Sequence, residues 1–263
     1  MNILITGSRG YIGSHLMAAL SKVPGINVFG FDILNNTAQD IRDTVYLQRF
    51  INAKEINVVY HCAALRNVVD CSRNAIDCNH VNTDASIRLF KVCQNLGVKF
   101  IFLSTTAVKQ HEASQYATSK HKAELNMEGA TIVRLSNVVG MIGEEKHHAR
   151  IPSLTDNLID AFKYNRVLPL YGNVTRNFVH LYDVISSLID ALYSEGVITC
   201  TGKVNCSMTD YITKFQEYLG QNIAVCLQPA IRCDAKDLSE DTHVDNDYMR
   251  RIVESYIPYL KTA

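Results

Sequence analysis

The sequence predicts an α/β fold, a doubly wound parallel sheet with a small, discontinuous C-terminal lobe. Three observations carry that expectation. An apolar run, Ile3-Leu4-Ile5, enters a turn with glycines at 7, 10 and 13, and a helix-like stretch from Ser14 to Lys22 follows at once. A second run, Asn27 to Phe31, ends on Asp32, 19 positions beyond Gly13. Strand-like and helix-like segments then alternate through most of the chain, the pattern of a parallel sheet covered on both faces.

Each glycine of the turn has a physical reason. Gly7 permits a tight turn, Gly10 lets the backbone approach a pyrophosphate, and Gly13 lets the helix pack close to the strand. The helix N-terminus then directs its N–H groups and positive dipole end at the anion. Residues 7–13, with Gly7, Arg9, Gly10, Tyr11, Ile12 and Gly13, are therefore the expected pyrophosphate site. The spacing is GxxGxxG rather than GxGxxG, and such a triplet also fits an ordinary glycine-rich turn. Its place between a strand and a helix argues for phosphate. Asp32, at the tip of the second strand, can hydrogen-bond both ribose hydroxyls of an adenosine and repels a 2′-phosphate. The expected cofactor is NAD, with simple loop capping as the plainer role for Asp32.

The later elements follow in order. Leu47 to Ala53 reads as a helix and Val58 to Cys62 as a strand. Thr83 to Leu96 is an amphipathic helix with Ile87, Phe90 and Leu96 inward, and Phe100 to Leu103 is a strand running into Ser104-Thr105-Thr106. A helix from Tyr116 to about Met127 precedes the strand Thr131 to Leu135, and Asn177 to His180 with Val184 to Tyr193 gives a late βα pair. Residues 141–175 and 198–263 are less regular and hold four of the five prolines. The chain thus divides into a dinucleotide-binding domain of Rossmann type, 1–140 plus about 176–197, and a small substrate lobe, about 141–175 plus 198–263.

Composition excludes several classes. Lys+Arg and Asp+Glu both total 26, so no basic field for nucleic acid exists, and Lys146-His147-His148 is too short to create one. The eight cysteines (62, 71, 78, 93, 200, 206, 226 and 233) show no CxxC pair or metal-ligand spacing. They lie mainly in apolar segments and fit reduced core thiols of a cytoplasmic protein. His147 and His148 adjoin no carboxylate ligand set, and no metal is expected. His61 and His180 read as packing residues. No apolar stretch reaches membrane-spanning length, and the first apolar run leads into the fold rather than serving as a signal peptide.

Tyr116-Ala117-Thr118-Ser119-Lys120 is the candidate catalytic segment. Residues four apart share a helix face, so the Lys120 ammonium can sit beside the Tyr116 hydroxyl. A nearby cation lowers a tyrosine pKa and makes it usable as a base. A solvated helix face shows the same spacing. Thr105, at the carboxyl end of a strand where open α/β sheets place ligands, adds a hydroxyl for the same substrate oxygen.

Taken together, the chain resembles an extended short-chain dehydrogenase/reductase of the NAD-dependent epimerase/dehydratase family, acting on nucleotide sugars. The segments that carry the resemblance are TGSRGYIGSHL (6–16), FGFD (29–32), QDIRD (39–43), HCAAL (61–65), NTDAS (82–86), LSTTAV (103–108), YATSK (116–120), VRLSNVVG (133–140) and RNFVHLYDV (176–184). The resemblance implies that Asp40 and Ile41 hold adenine, that Ala63 and Ala64 line the cofactor path, and that Asn82 supports Lys120 through a backbone or water contact. It makes Thr105, Tyr116 and Lys120 the proton-transfer set. Asn137 and Arg176 would contact a substrate diphosphate, with Thr105 and Thr106 beside the sugar. The implied activity is that of a nucleotide-sugar 4-epimerase. An NADH-dependent keto-sugar reductase and a non-catalytic dinucleotide sensor or scaffold are the alternatives.

Departures from the family pattern are local. Ten residues separate Thr105 from Tyr116, where relatives have a longer loop, and Val108-Lys109-Gln110 stands in place of VYG. Thr106-Ala107 replaces the Asp-Glu pair of relatives that remove water from the sugar, so no acid stands there for a leaving hydroxyl. The resemblance implies a homodimer through the helices containing 87–96 and 116–120, although the second is short.

Overall fold

The computed structural model describes residues 1–140, 154–171, 175–222, 224–228 and 242–260. The order begins β1 (Asn2–Thr6), α1 (Tyr11–Leu20), β2 (Asn27–Phe31), α2 (Thr44–Ala53), β3 (Val58–His61), α3 (Val68–Arg73) and α4 (Ala75–Asn79). A π-helical turn, His80–Ala85, leads into α5 (Ser86–Leu96) and β4 (Lys99–Thr105). A 3-10 segment, Thr106–Ala113, precedes α6 (Gln115–Glu124), β5 (Thr131–Leu135) and β6 (Asn137–Val139). Then come α7 (Leu154–Tyr164), β7 (Leu168–Tyr171), β8 (Thr175–His180), α8 (Leu181–Asp190), a 3-10 turn (Ala191–Tyr193) and β9 (Val197–Cys200). The described chain closes with β10 (Val204–Ser207), α9 (Met208–Leu219), β11 (Val225–Gln228), β12 (His243–Val244), α10 (Asn246–Glu254) and α11 (Ile257–Leu260).

The expected doubly wound parallel sheet is the observed architecture. Six strands pair in parallel in the order β2-β1-β3-β4-β5-β9. Side chains alternate between faces along each strand. Ile3, Ile5, Ile101, Leu103 and Val133 meet Leu16 of α1 and Leu188 of α8 on one face. Leu4, Val59, Phe102 and Ile132 meet Leu47 of α2, Leu89 of α5 and Ala123 of α6 on the other. The chain reverses its winding between β1 and β3, and the crevice outside the carboxyl ends of these strands is where such sheets bind ligands.

A second sheet, β12-β10-β8-β6, lies beside a two-stranded pair, β11-β7. Phe178, Tyr211, Phe215, Met249, Ile252 and Tyr256 fill the core of this part. Sheet membership departs from the expected lobes. β6 and β8 belong to the second sheet, although the sequence places 137–140 and 176–180 in the first domain. β9 completes the first sheet across the boundary placed at 197/198. Parallel pairing of β9 with β5 is a long-range contact that local sequence does not encode.

Several element bounds also differ. α1 starts at Tyr11, three residues before Ser14, because Gly10 itself supplies the extended cap at φ −74° and ψ 170°. α6 ends at Glu124 rather than near Met127. In α5 the buried residues are Leu89, Phe90, Val92 and Cys93, while Leu96, expected inward, is 36 % exposed. The π turn before α5 rotates the helix face relative to an uninterrupted helix from Thr83. The C-terminal region holds α9 and α10 and is more regular than expected. Lys146, His147, His148 and Cys233 lie outside the described residues. The other seven cysteines are free thiols, and Cys71, Cys78, Cys93, Cys200 and Cys206 are buried.

Candidate functional site

The glycine turn is tightly determined. Gly7 has φ +67°, and its N–H donates to Phe31 O at 2.9 Å. A Cβ on Gly7 would come within 2.7 Å of Ala63 N, and one on Gly13 would overlap Gly7 O. Gly10 differs: its added Cβ would meet only Gly7 O, at 3.1 Å, so its other side opens on free space. No side chain caps α1. The first turn of that helix therefore presents its main chain to whatever anion sits over Gly10, and a dinucleotide pyrophosphate fits the cradle.

Asp32 is tied to the same turn. Its Oδ2 accepts from Arg9 N and its Oδ1 from Leu34 N, both at 3.0 Å. Asp32 N in turn donates to Gln39 Oε1 at 3.0 Å, and Asn35 Nδ2 donates to Ser8 Oγ at 3.4 Å. Gln39, Asn35 and Ser8 were not singled out from the sequence. Gly30 also escaped notice, though its added Cβ would lie 2.7 Å from Ser8 Oγ. Asp40 pairs with Arg42 at 2.6 Å, and that hydrogen bond holds its carboxyl below the usual range. The Ile41 side chain is buried in the core with Leu4, Phe31 and Leu47, so only its main chain can face an adenine.

β3 ends beside this turn. Ala63 and Ala64 are partly exposed there, and Ala63 N donates to Thr6 Oγ1 at 3.4 Å. His61 is a post between elements: Nδ1 meets Thr6 Oγ1 at 2.7 Å and Nε2 meets Ser86 Oγ at 2.8 Å. Burial drives its pKa down to about 3, so it stays neutral.

Asn82 sits in the π turn and clamps the loop after β3. Its Oδ1 accepts from Leu65 N and its Nδ2 donates to Leu65 O, both at 2.8 Å; Nδ2 also donates to Ser119 Oγ at 3.1 Å. Its direct bond to α6 thus falls on Ser119, the neighbour of Lys120. Thr83 Oγ1 adds a bond to Ser119 O at 2.9 Å.

Tyr116, partly exposed, is the second residue of α6. The short loop still delivers it, because Ser114 caps the helix by accepting from Ala117 N at 3.1 Å, while Thr118 Oγ1 donates to His111 O at 2.6 Å. The far end of α6 is fixed by the Glu124–Arg134 pair at 2.6 Å. Lys120 is 2 % exposed; its Nζ donates to Leu103 O at 2.7 Å and lies 4.3 Å from the Phe102 ring centre. Burial brings its pKa down to about 8. Thr105 ends β4, and its Oγ1 accepts from Ala107 N at 3.2 Å.

The electrostatics of Tyr116 run against expectation. Burial, with the Cys71 and Cys78 thiols adding to it, pushes its pKa up to about 12, and the cation that opposes the rise is Arg66. Lys120 has turned its ammonium to Leu103 O and the Phe102 face. Among the described residues no hydrogen bond joins the Tyr116 hydroxyl to Thr105 or Lys120. Arg66, the residue after the loop clamped by Asn82, was missed in the sequence; its only signal there is its place just beyond β3.

Asn137 and Arg176 lie on neighbouring strands of the second sheet, where Asn137 Nδ2 donates to Asn177 O at 3.1 Å. Asn177 is itself locked to Gly202 by two bonds of 2.8 Å. Among the described residues no group of three or more His, Cys, Asp or Glu could hold a metal ion, and no helix is long and apolar enough to cross a membrane.

Comparison with known proteins extends this geometry. The family model described as "NAD dependent epimerase/dehydratase family" matches residues 3–198. UDP-glucose 4-epimerase of Yersinia enterocolitica is 26 % identical, over 85 % of this chain and 84 % of that protein. Human dTDP-D-glucose 4,6-dehydratase is 25 % identical over 72 % of this chain, which spans 65 % of the dehydratase. Among solved structures, UDP-glucose 4-epimerase of Thermotoga maritima with UDP-glucose superposes with a TM-score of 0.82 at 20 % identity, covering 99 % of this chain and 100 % of that one.

Proposed function

The chain belongs to the NAD-dependent epimerase/dehydratase family, and from that premise we propose that it is a 4-epimerase of a UDP-sugar. The observation that carries the reading is the meeting of three features at the carboxyl edge of one sheet. These are the glycine turn after β1, Thr105 at the end of β4, and the Tyr116–Lys120 helix packed on that strand.

Residues 7–13 would hold the NAD pyrophosphate and Asp32 its adenosine ribose. When bound, NAD supplies a reversible hydride acceptor at the sugar carbon. The protein's own work is proton transfer and positioning. Tyr116 takes the proton of the sugar 4-hydroxyl and later returns it, while the Thr105 hydroxyl holds the same oxygen; with its pKa pushed up to about 12, it does so through the small deprotonated fraction. Arg66 is the cation that favours the tyrosinate. Lys120 keeps its charge at neutral pH, because its pKa of about 8 still lies above it. Arg176 and Asn137 grip the diphosphate, with Thr106 beside the sugar. The similarity to UDP-glucose 4-epimerases supports UDP as the nucleotide. Thr106-Ala107, which offers no acid for a leaving hydroxyl, weighs against dehydration.

The test is a screen of UDP-hexoses with NAD-saturated protein, read by NMR for inversion at C4 and by absorbance for net NADH. Inversion without net NADH, lost in Tyr116→Phe while NAD binding persists, is the expected result. Stoichiometric NADH consumption on a keto sugar would move the assignment to a reductase. NAD binding with no turnover of any sugar would leave a dinucleotide sensor.

A further inference from the structure

β6, the strand that carries Asn137, is gripped at its far end through main-chain atoms of Gly140. Gly140 O accepts from the Tyr11 hydroxyl at 2.6 Å, and Gly140 N donates to the Tyr256 hydroxyl at 3.0 Å. Gly140 has φ +103°, and an added Cβ would lie 2.7 Å from His180 Nε2, so no side chain fits between this residue and the end of β8. Tyr256 belongs to the buried core of the second sheet. Tyr11 belongs to the other half of the molecule, where it opens α1 immediately after Gly10. One phenol therefore joins the first turn of the phosphate-facing helix to the strand on the substrate side, across 129 positions of sequence.

Resting on the UDP-sugar reading above, we infer that the Tyr11 hydroxyl is a positioning group that couples the two ligand sites. Its main chain faces the dinucleotide and its side chain holds Gly140, so a dinucleotide that fixes the turn also fixes β6. Asn137 and, on the adjacent strand β8, Arg176 are then held ready for the diphosphate of the second ligand. A merely structural hydrogen bond would raise stability and leave the two affinities independent. A coupling bond makes each ligand tighten the other by the same factor.

The experiment is calorimetric titration of the full chain with UDP, in the absence and in the presence of saturating NAD. Wild-type protein is expected to bind UDP roughly fivefold more tightly with NAD present, the usual size of a modest coupling. In Tyr11→Phe that ratio falls to about one, because the ring stays and only the bond is lost. Tyr60→Phe is the control. It removes a buried phenol bond of 2.6 Å to Leu188 O elsewhere in the fold and should lower the melting temperature while keeping the ratio. A wild-type ratio of one, or an unchanged ratio in Tyr11→Phe, overturns the coupling and leaves the UDP-sugar reading standing. A ratio that collapses in Tyr60→Phe as well marks general loosening and also overturns it. Failure of UDP to bind wild-type protein with NAD present removes the substrate reading itself, and the coupling with it.

Discussion

At the scale of single residues, the three turn glycines do different jobs. Gly7 needs its positive φ of 67° and has Ala63 N within 2.7 Å of any added Cβ. Gly10 has an ordinary φ of −74° and one close neighbour, Gly7 O. Gly7→Ala should therefore cost about 1–3 kcal/mol of folding stability through strain and crowding. Gly10→Ala should fold with nearly wild-type stability and lose NAD affinity, because its methyl projects where the pyrophosphate approaches. Chemical denaturation and NAD titration of both variants separate the two roles. Equal NAD affinity in Gly10→Ala and wild type would place the phosphate elsewhere.

At the scale of elements, α6 is held in place largely by its neighbours. Its sequence, QYATSKHKAE, has a weak apolar stripe, and its buried residues include Ser119, Lys120 and Glu124. Polar contacts make up the deficit: Asn82 and Thr83 from the π turn, the Ser114 cap, and the Glu124–Arg134 pair. Asn82→Ala removes four side-chain bonds, two to Leu65 and one each to Cys78 Sγ and Ser119 Oγ, and leaves the Leu65 main chain short of partners, which should cost about 2–3 kcal/mol. Thr83→Val keeps the shape and loses one bond, for about 1 kcal/mol. Denaturant titration measures both. A smaller loss in Asn82→Ala than in Thr83→Val would contradict the clamp.

At the scale of the whole molecule, two buried histidines make the fold sensitive to acid. Burial lowers His61 to about 3 and His180 to about 4, the latter helped by Arg251, while the unfolded chain titrates at the ordinary 6.5. Between those limits the unfolded state binds protons that the folded state refuses, so stability falls as pH drops from about 6.5 toward 4. Lowering the pH from about 7 to about 5 should remove roughly 4 kcal/mol of unfolding free energy from the two groups together. Guanidinium unfolding at the two pH values, with NAD absent, checks the slope. An unchanged free energy would mean that one or both rings take up protons in the folded protein as readily as in the unfolded chain.

The sequence by itself determined the elements whose signals are local. The glycine turn, Asp32 at the end of β2 and the strands Asn27–Phe31 and Thr131–Leu135 are legible because backbone sterics and apolar runs act over a few residues. Tyr116 and Lys120 were found the same way, by spacing along one helix. Only the tertiary structure decided what those residues meet. Lys120 turned to Leu103 O, Asn82 reached Ser119 and Leu65, Arg66 became the cation near Tyr116, and burial reversed the direction of the Tyr116 shift. The same holds for β9 joining the first sheet and β6 and β8 leaving it, and for Tyr11 holding Gly140. Burial and charge environment are sums over neighbours brought together by folding, so a pattern along the chain names the groups without fixing their partners.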